Sequence, residues 1–87
     1  MKNNMYMVSE LVRETGVSKY SIYHYVKIGL LKETFRASNN YCFFDELELK
    51  KLKRIKELRL EGYPLKLIEK KLAEEFSNSI SEQLQNQ

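Results

Sequence analysis

The segment from Ser18 to Lys27, SKYSIYHYVK, carries the densest chemistry in the chain. Lys19 and Lys27 are cations suited to phosphate oxygens. Ser18, Tyr20, Ser21, Tyr23 and His24 offer hydroxyl and imidazole groups that hydrogen-bond phosphates or base edges, and phenol rings also pack against sugars and thymine methyls. No other segment offers a competing chemistry. Cys42 is the single cysteine and His24 the single histidine, which excludes an internal disulfide framework and a Cys-based zinc site. There is no nucleophile-elbow motif, phosphate loop or metal-ligand pair. The expectation is a binding protein, not an enzyme, with no cofactor and no metal.

These residues need elements to position them. Gly16, Gly29 and Gly62 each stand where a helix would end. The spacing of Val8, Leu11 and Val12 predicts a short helix over about Ser9 to Thr15, then a Gly16-Val17 turn. Ser18 is a good N-cap for a second helix from Lys19 to about Ile28. Ile22, Tyr25 and Val26 share its buried face, which leaves Lys19, Tyr20, Tyr23, His24 and Lys27 largely outside. Helix, short glycine turn, helix is the helix-turn-helix arrangement, whose second helix enters the major groove of DNA.

Thr34 to Arg36 and Tyr41 to Phe44 are β-prone runs joined by Ala37-Ser38-Asn39-Asn40, which predicts a small hairpin, or wing. Tyr41 and Phe44 are expected to pin it to the helices, and Tyr6 to cover the core from the N-terminal side. Asp45 caps a helix to about Glu61 with Leu49, Leu52, Ile55 and Leu58 as its core stripe. Pro64 suits the first turn of a last helix, on which Leu65, Ile68, Leu72 and Phe76 form one stripe. The polar stretch from Ser77 onward reads as a frayed tail, so the domain is expected over 1–76 and the tail over 77–87.

The bulk properties agree. An 87-residue chain with 43% hydrophobic residues suits one small domain. It is too short for a (β/α)₈ barrel of about 250 residues. The net charge is +3, from 15 Lys+Arg against 12 Asp+Glu. The excess is uneven: the first 44 residues carry six basic and three acidic side chains, residues 45–75 nine and eight. That places the attraction for an anionic partner on the helix-turn-helix half. The run KKLKRIK (Lys50 to Lys56) is instead expected to be a solvated helix face, because Glu46, Glu48, Glu57 and Glu61 surround it. No apolar run approaches a membrane span, and the N-terminus MKNNMYMVSE lacks an apolar signal core. The expectation is a cytoplasmic protein with no membrane partner.

The stretch VSELVRETGVSKYSIYHYVKIGLLK resembles the DNA-binding domain of the MerR family of bacterial regulators. The continuation NNYCFFDELELKKLKRIKELRLEGYPLKLIEKKL is similar to that family's wing and following helix pair. The GVS turn, the tyrosine-bearing helix, GLL, the Asn-Tyr wing and the LRxxGxxLxxI ending fall in register from about Met7 to Leu72. The resemblance implies a mainly α, winged helix-turn-helix fold that binds double-stranded DNA in transcriptional regulation. It implies DNA contacts from Ser18, Lys19, Tyr20 and Ser21, with His24 and Tyr25 at the family's paired tyrosines. It also implies wing contacts from Arg36 and Asn39, and second-wing contacts from Tyr63 and Lys66.

Departures temper those implications. Tyr23 stands where the family usually has arginine, Val26 where it has glutamate, Cys42 at a wing arginine and Phe35 at another basic position. Glu33 replaces a proline and Asn40 a glycine. Each lost cation flattens the salt dependence of binding by about one charge. Family members usually continue into a coiled coil and a sensing domain. A homodimer is therefore expected only through a coiled coil outside this chain, and no small-molecule effector site is visible. Two alternatives to the regulator stand: an excisionase-like or architectural DNA-binding factor, and a protein-interaction module derived from the same fold. His24 reads as a neutral groove donor, and Cys42 as a passive, half-buried thiol.

Overall fold

Ser18 and Asp45 start the two helices that matter most, and both do so with their side chains. The Ser18 hydroxyl accepts from the Ser21 N–H at 3.1 Å, and the Asp45 carboxylate accepts from the Glu48 N–H at 3.1 Å. Each satisfies an N–H that the first helical turn leaves without a partner. In the computed structural model the described residues are 4–85, with side chains through Phe76. The elements run β1 (Tyr6–Met7), α1 (Val8–Thr15), α2 (Lys19–Lys27), β2 (Phe35–Arg36), β3 (Cys42–Phe44), α3 (Glu46–Leu60) and α4 (Leu65–Gln85). Of the frayed tail expected over 77–87, residues 77–85 continue the backbone of α4, and 86–87 lie outside the described residues.

The helix-turn-helix forms as its spacing predicts. Gly16 closes α1 at φ +79°, a left-handed conformation that glycine adopts without strain, and its N–H donates to the Val12 carbonyl at 2.7 Å. Thr15 is buried beneath this turn. Its hydroxyl donates to the Leu11 carbonyl at 2.8 Å and accepts from the Val17 N–H at 3.1 Å. Lys56, on α3, donates from Nζ to the Thr15 carbonyl and so ties the turn to α3.

The wing is part of a three-stranded antiparallel sheet of order β1-β3-β2. Tyr6 pairs with Phe44 and Met7 with Phe43 on one side; Phe35 pairs with Phe43 and Arg36 with Cys42 on the other. The strand from the N-terminal side was not expected, because two residues carry no alternation to read. Tyr6 does pack against the core, and its hydroxyl donates to Glu46 at 2.8 Å. At the wing tip Asn40 adopts φ +73°, one of the few conformations in which asparagine replaces glycine readily. Phe44 pins the wing as expected, being 1% exposed. Tyr41 does not: it is 54% exposed, because its position just before β3 turns the ring away from the core.

Leu49, Leu52, Ile55 and Leu58 of α3 are all buried, and Leu11, Ile22, Leu31, Phe44 and Ile68 close over them. Polar braces surround this core. Arg54 donates from Nε and Nη2 to the two Glu75 oxygens at 2.9 and 3.0 Å, joining α3 to α4, and from Nη1 to Glu57 at 3.0 Å. Buried Glu48 accepts from the Lys32 N–H at 2.9 Å and pairs with Lys51 at 3.3 Å. The Lys50 to Lys56 run is therefore only partly a solvated face. Lys50 and Lys53 are exposed, whereas Lys51, Arg54 and Lys56 each have a structural partner.

Truncating Ile55→Ala at the centre of this core is expected to cost about 2–5 kcal/mol in a urea titration. Asn40→Gly should leave stability unchanged or slightly raised, while Asn40→Val should lower it by about 1–2 kcal/mol. Arg54 holds the Glu75 carboxyl below its ordinary value of 4.5. The bond thus contributes fully above that pH and is lost as the pH falls below it. Thermal melts should show stability dropping below about pH 4.5, and Glu75→Gln should make that drop shallower.

Candidate nucleic-acid interface

The outward face of α2 is set by what its inward face buries. Ile22 and Tyr25 are in the core, and Val26 is half-buried against it. Tyr20, Tyr23, His24 and Lys27 follow the i, i+3, i+4, i+7 spacing of one helical face, so they project together, with Lys19 beside them. All five are exposed, Tyr20 most at 75%. The Lys19 ammonium lies 5.4 Å from the Tyr20 ring centroid, a cation–π arrangement that keeps both at the helix start. The helix has no acidic residue. Its N-terminus adds partial positive charge where Lys19 already stands. Ser9, Val12, Ser18, Lys19 and Tyr20 line an open hollow of about 430 Å³ between α1 and α2.

Ser18 and Ser21 sit at the edge of this face and serve it indirectly. Besides accepting from the Ser21 N–H, the Ser18 hydroxyl donates to the Ser21 hydroxyl at 3.2 Å. The two serines hold the first turn, which orients Lys19 and Tyr20.

The wing is built differently from the implied pattern. Arg36 donates from Nε and Nη2 to the two oxygens of Glu33 at 2.9 and 2.7 Å. The Cys42 thiol donates to the same carboxylate at 3.2 Å. These bonds, Arg36 first and Cys42 second, hold the Glu33 carboxyl below its ordinary range and raise the Arg36 guanidinium. Burial, followed by Glu33, pushes the Cys42 thiol up, in keeping with a passive thiol. Asn39 uses its side-chain oxygen on the Tyr41 N–H at 3.2 Å, within the wing turn. Exposed Phe35 lies 5.8 Å from Phe43, so an aromatic pair occupies a position implied to be basic.

At the α3–α4 junction Tyr63 is half-buried against the core, and the Lys71 ammonium lies 5.2 Å from its ring centroid. Lys66 is exposed on the first turn of α4. The structure thus gathers the α2 residues on one face, and places Arg36 with Asn39, and Tyr63 with Lys66, on separate elements. Glu33 and Lys56 are the residues that sequence reasoning missed. The i, i+3 spacing of Glu33 and Arg36 was readable; the 41-residue reach from Lys56 to Thr15 was not. Among the described residues no group of His, Cys, Asp and Glu is placed to hold a metal ion.

A profile of the MerR HTH family regulatory proteins matches residues 6–75. Over 66 residues the chain is 36% identical to the HTH-type transcriptional regulator SkgA of Caulobacter vibrioides, covering 76% of this chain and 26% of SkgA. Over 74 residues it is 34% identical to the HTH-type transcriptional regulator CueR of Bacillus subtilis, covering 85% of this chain and 51% of CueR. The crystal structure of SkgA from Caulobacter crescentus matches with a TM-score of 0.70 at 35% identity, covering 82% of this chain and 51% of that one. HiNmlR, a MerR family regulator lacking the sensor domain and crystallised bound to promoter DNA, shares the fold at a TM-score of 0.69 and 24% identity, covering 95% of this chain and 70% of that one. The chain thus spans a quarter of SkgA's sequence and about half of CueR's.

With its pKa raised above the ordinary 9.0, Cys42 is a neutral thiol at pH 8. Its alkylation by iodoacetamide at that pH should be slower in the folded protein than in the urea-unfolded chain. The rate should climb only above pH 9, and Glu33→Gln should bring that rise to lower pH.

Proposed function

The chain belongs to the MerR HTH family of regulatory proteins, and from that premise we propose that it binds double-stranded DNA sequence-specifically and acts in transcriptional regulation. The observation that carries this reading is the α2 face. An acid-free helix has its apolar side locked in the core and presents Lys19, Tyr20, Tyr23, His24 and Lys27 outward together. A helix mounted in this way enters the major groove. Its lysines take phosphates, and its tyrosines and histidine reach base edges and thymine methyls. The promoter complex of HiNmlR, which shares the fold, supports the same use of it.

Lys66 at the start of α4 contributes a phosphate contact, and Asn39 shapes the wing. A single module of this size buries on the order of 600–1,000 Å² on DNA. Homodimerisation through a coiled coil outside this chain would bring two such modules to half-sites about 34–36 Å apart. An architectural factor would differ in placing several adjacent copies on one bent duplex.

Fluorescence anisotropy with labelled duplex DNA at about 50 and 200 mM salt tests the reading. Binding should weaken with salt, with a log–log slope of about −2 to −3 for phosphate contacts from Lys19, Lys27 and Lys66. Lys19→Ala should weaken it uniformly across sequences and lower the salt slope by about one. Tyr23→Ala should weaken preferred sites more than random duplex. Absence of binding at low salt, or binding indifferent to salt, overturns the proposal and favours a protein-interaction module.

A further inference from the structure

We propose that Glu33 is a built-in competitor for DNA phosphate, holding the wing's one arginine until a phosphate displaces it. The inference rests on the DNA-binding reading above. Arg36 is the only lysine or arginine from residue 33 to residue 44, so it is the wing's whole cationic capacity. It meets Glu33 through Nε and Nη2, at 2.9 and 2.7 Å. That is the two-pronged edge with which a guanidinium grips a phosphate, and a carboxylate occupies it in the same geometry.

The carboxylate is itself held in place. The Cys42 thiol donates to Glu33 Oε1 at 3.2 Å, and Cys42 lies opposite Arg36 in the β2–β3 register. Next to Glu33, the Thr34 N–H donates to the Phe43 carbonyl at 2.8 Å and fixes the backbone from which the carboxylate reaches. Three side chains on a short hairpin therefore share one arrangement. The Arg36 side chain remains 48% exposed, so a phosphate has access to it. Its charge is cancelled until exchange occurs, and the wing of the free protein adds nothing to long-range attraction. A duplex gains the wing contact only by bringing a phosphate close enough to replace the carboxylate.

The test is a two-by-two set of full-length chains: wild type, Glu33→Gln, Arg36→Gln and the double variant. Each is titrated against one duplex over a range of salt concentrations, with thermal melts to verify folding. Freeing Arg36 in Glu33→Gln should tighten binding by about three- to fivefold, the range set by an exposed two-pronged ion pair. It should also steepen the log–log salt slope, by up to about 0.9, because the exchange that wild type completes only in part no longer has a competitor. Arg36→Gln alone should change affinity by less than about twofold, since exchanging the Glu33 carboxylate for a phosphate returns little net free energy. The double variant should match Arg36→Gln. Binding by wild type and Glu33→Gln with the same affinity and slope overturns the competitor while leaving DNA binding intact. An equal gain from Glu33→Gln in the Arg36→Gln background also overturns it, because general charge repulsion then suffices. Binding by neither chain at low salt overturns both readings.

Discussion

Burial of the α3 stripe is the constraint on which the rest of the structure depends. Leu52, Ile55 and Leu58 are fully covered, and the groups that cover them come from every other part of the fold. Leu11 and Ile22 come from the helix-turn-helix, Phe44 from the wing and Ile68 from α4. A chain this short buries a modest fraction of its surface, so a single shared core has to position all of its working parts. The orientation of α2 follows from that economy. Ile22 and Tyr25 can be buried only with Tyr20, Tyr23, His24 and Lys27 facing out. The polar braces act at the margins of the same core. Lys56 holds the turn before α2 and Glu48 receives the chain after it, at Lys32. α3 thus positions the helix-turn-helix from both ends.

Much of this was legible from residues that admit few conformations. Gly16, Ser18 and Asp45 mark helix ends by mechanism, and the structure places each in that role. Asn40 was legible because few residues tolerate the backbone found there. The α3 stripe was legible because four apolar residues at helical spacing on an otherwise charged helix have one place to go. What escaped was short or long-range. β1 has two residues, too few for a pattern, and exists because β3 offers it an edge to pair with. Tyr41 was misjudged because alternation on a three-residue strand does not settle which side the residue before it takes. The reach of Lys56 to Thr15 depends on tertiary packing that no local spacing encodes.

The candidate site divides along the same line. Its α2 half was readable, since helical periodicity and an apolar inner face determine which side chains share the outer one. Its wing half was not. The resemblance supplied Arg36 and Asn39 as contacts, but their present partners are internal: Glu33 for one, the turn backbone for the other. In the sequence Glu33 stands out only as a residue in place of proline. Its effect on Arg36 arises from an i, i+3 spacing that becomes a charge pair only once the hairpin brings the two side chains together.

The charge distribution takes on a different meaning once pairing is considered. The first 44 residues carry an excess of three positive charges, and none of it lies on the wing, where Arg36 and Glu33 cancel. The cations that the candidate interface leaves to DNA on this half are Lys19 and Lys27 of α2. On the proposed reading, two phosphate contacts from this half would release few counterions, so the electrostatic share of affinity would be small for a DNA-binding module. Tyr20 and Tyr23 then become the larger resource. Each brings a broad ring with two side-chain torsions to immobilise, against four in lysine, and buries apolar area as well as hydrogen-bonding. On the same reading, a tyrosine at position 23, where the resemblance implies arginine, would exchange a contact that any duplex satisfies for one that depends on groove shape and base identity. A DNA-binding helix so composed would give up non-specific attraction and rely on fit, and a wing whose arginine is already paired would shift the balance in the same direction.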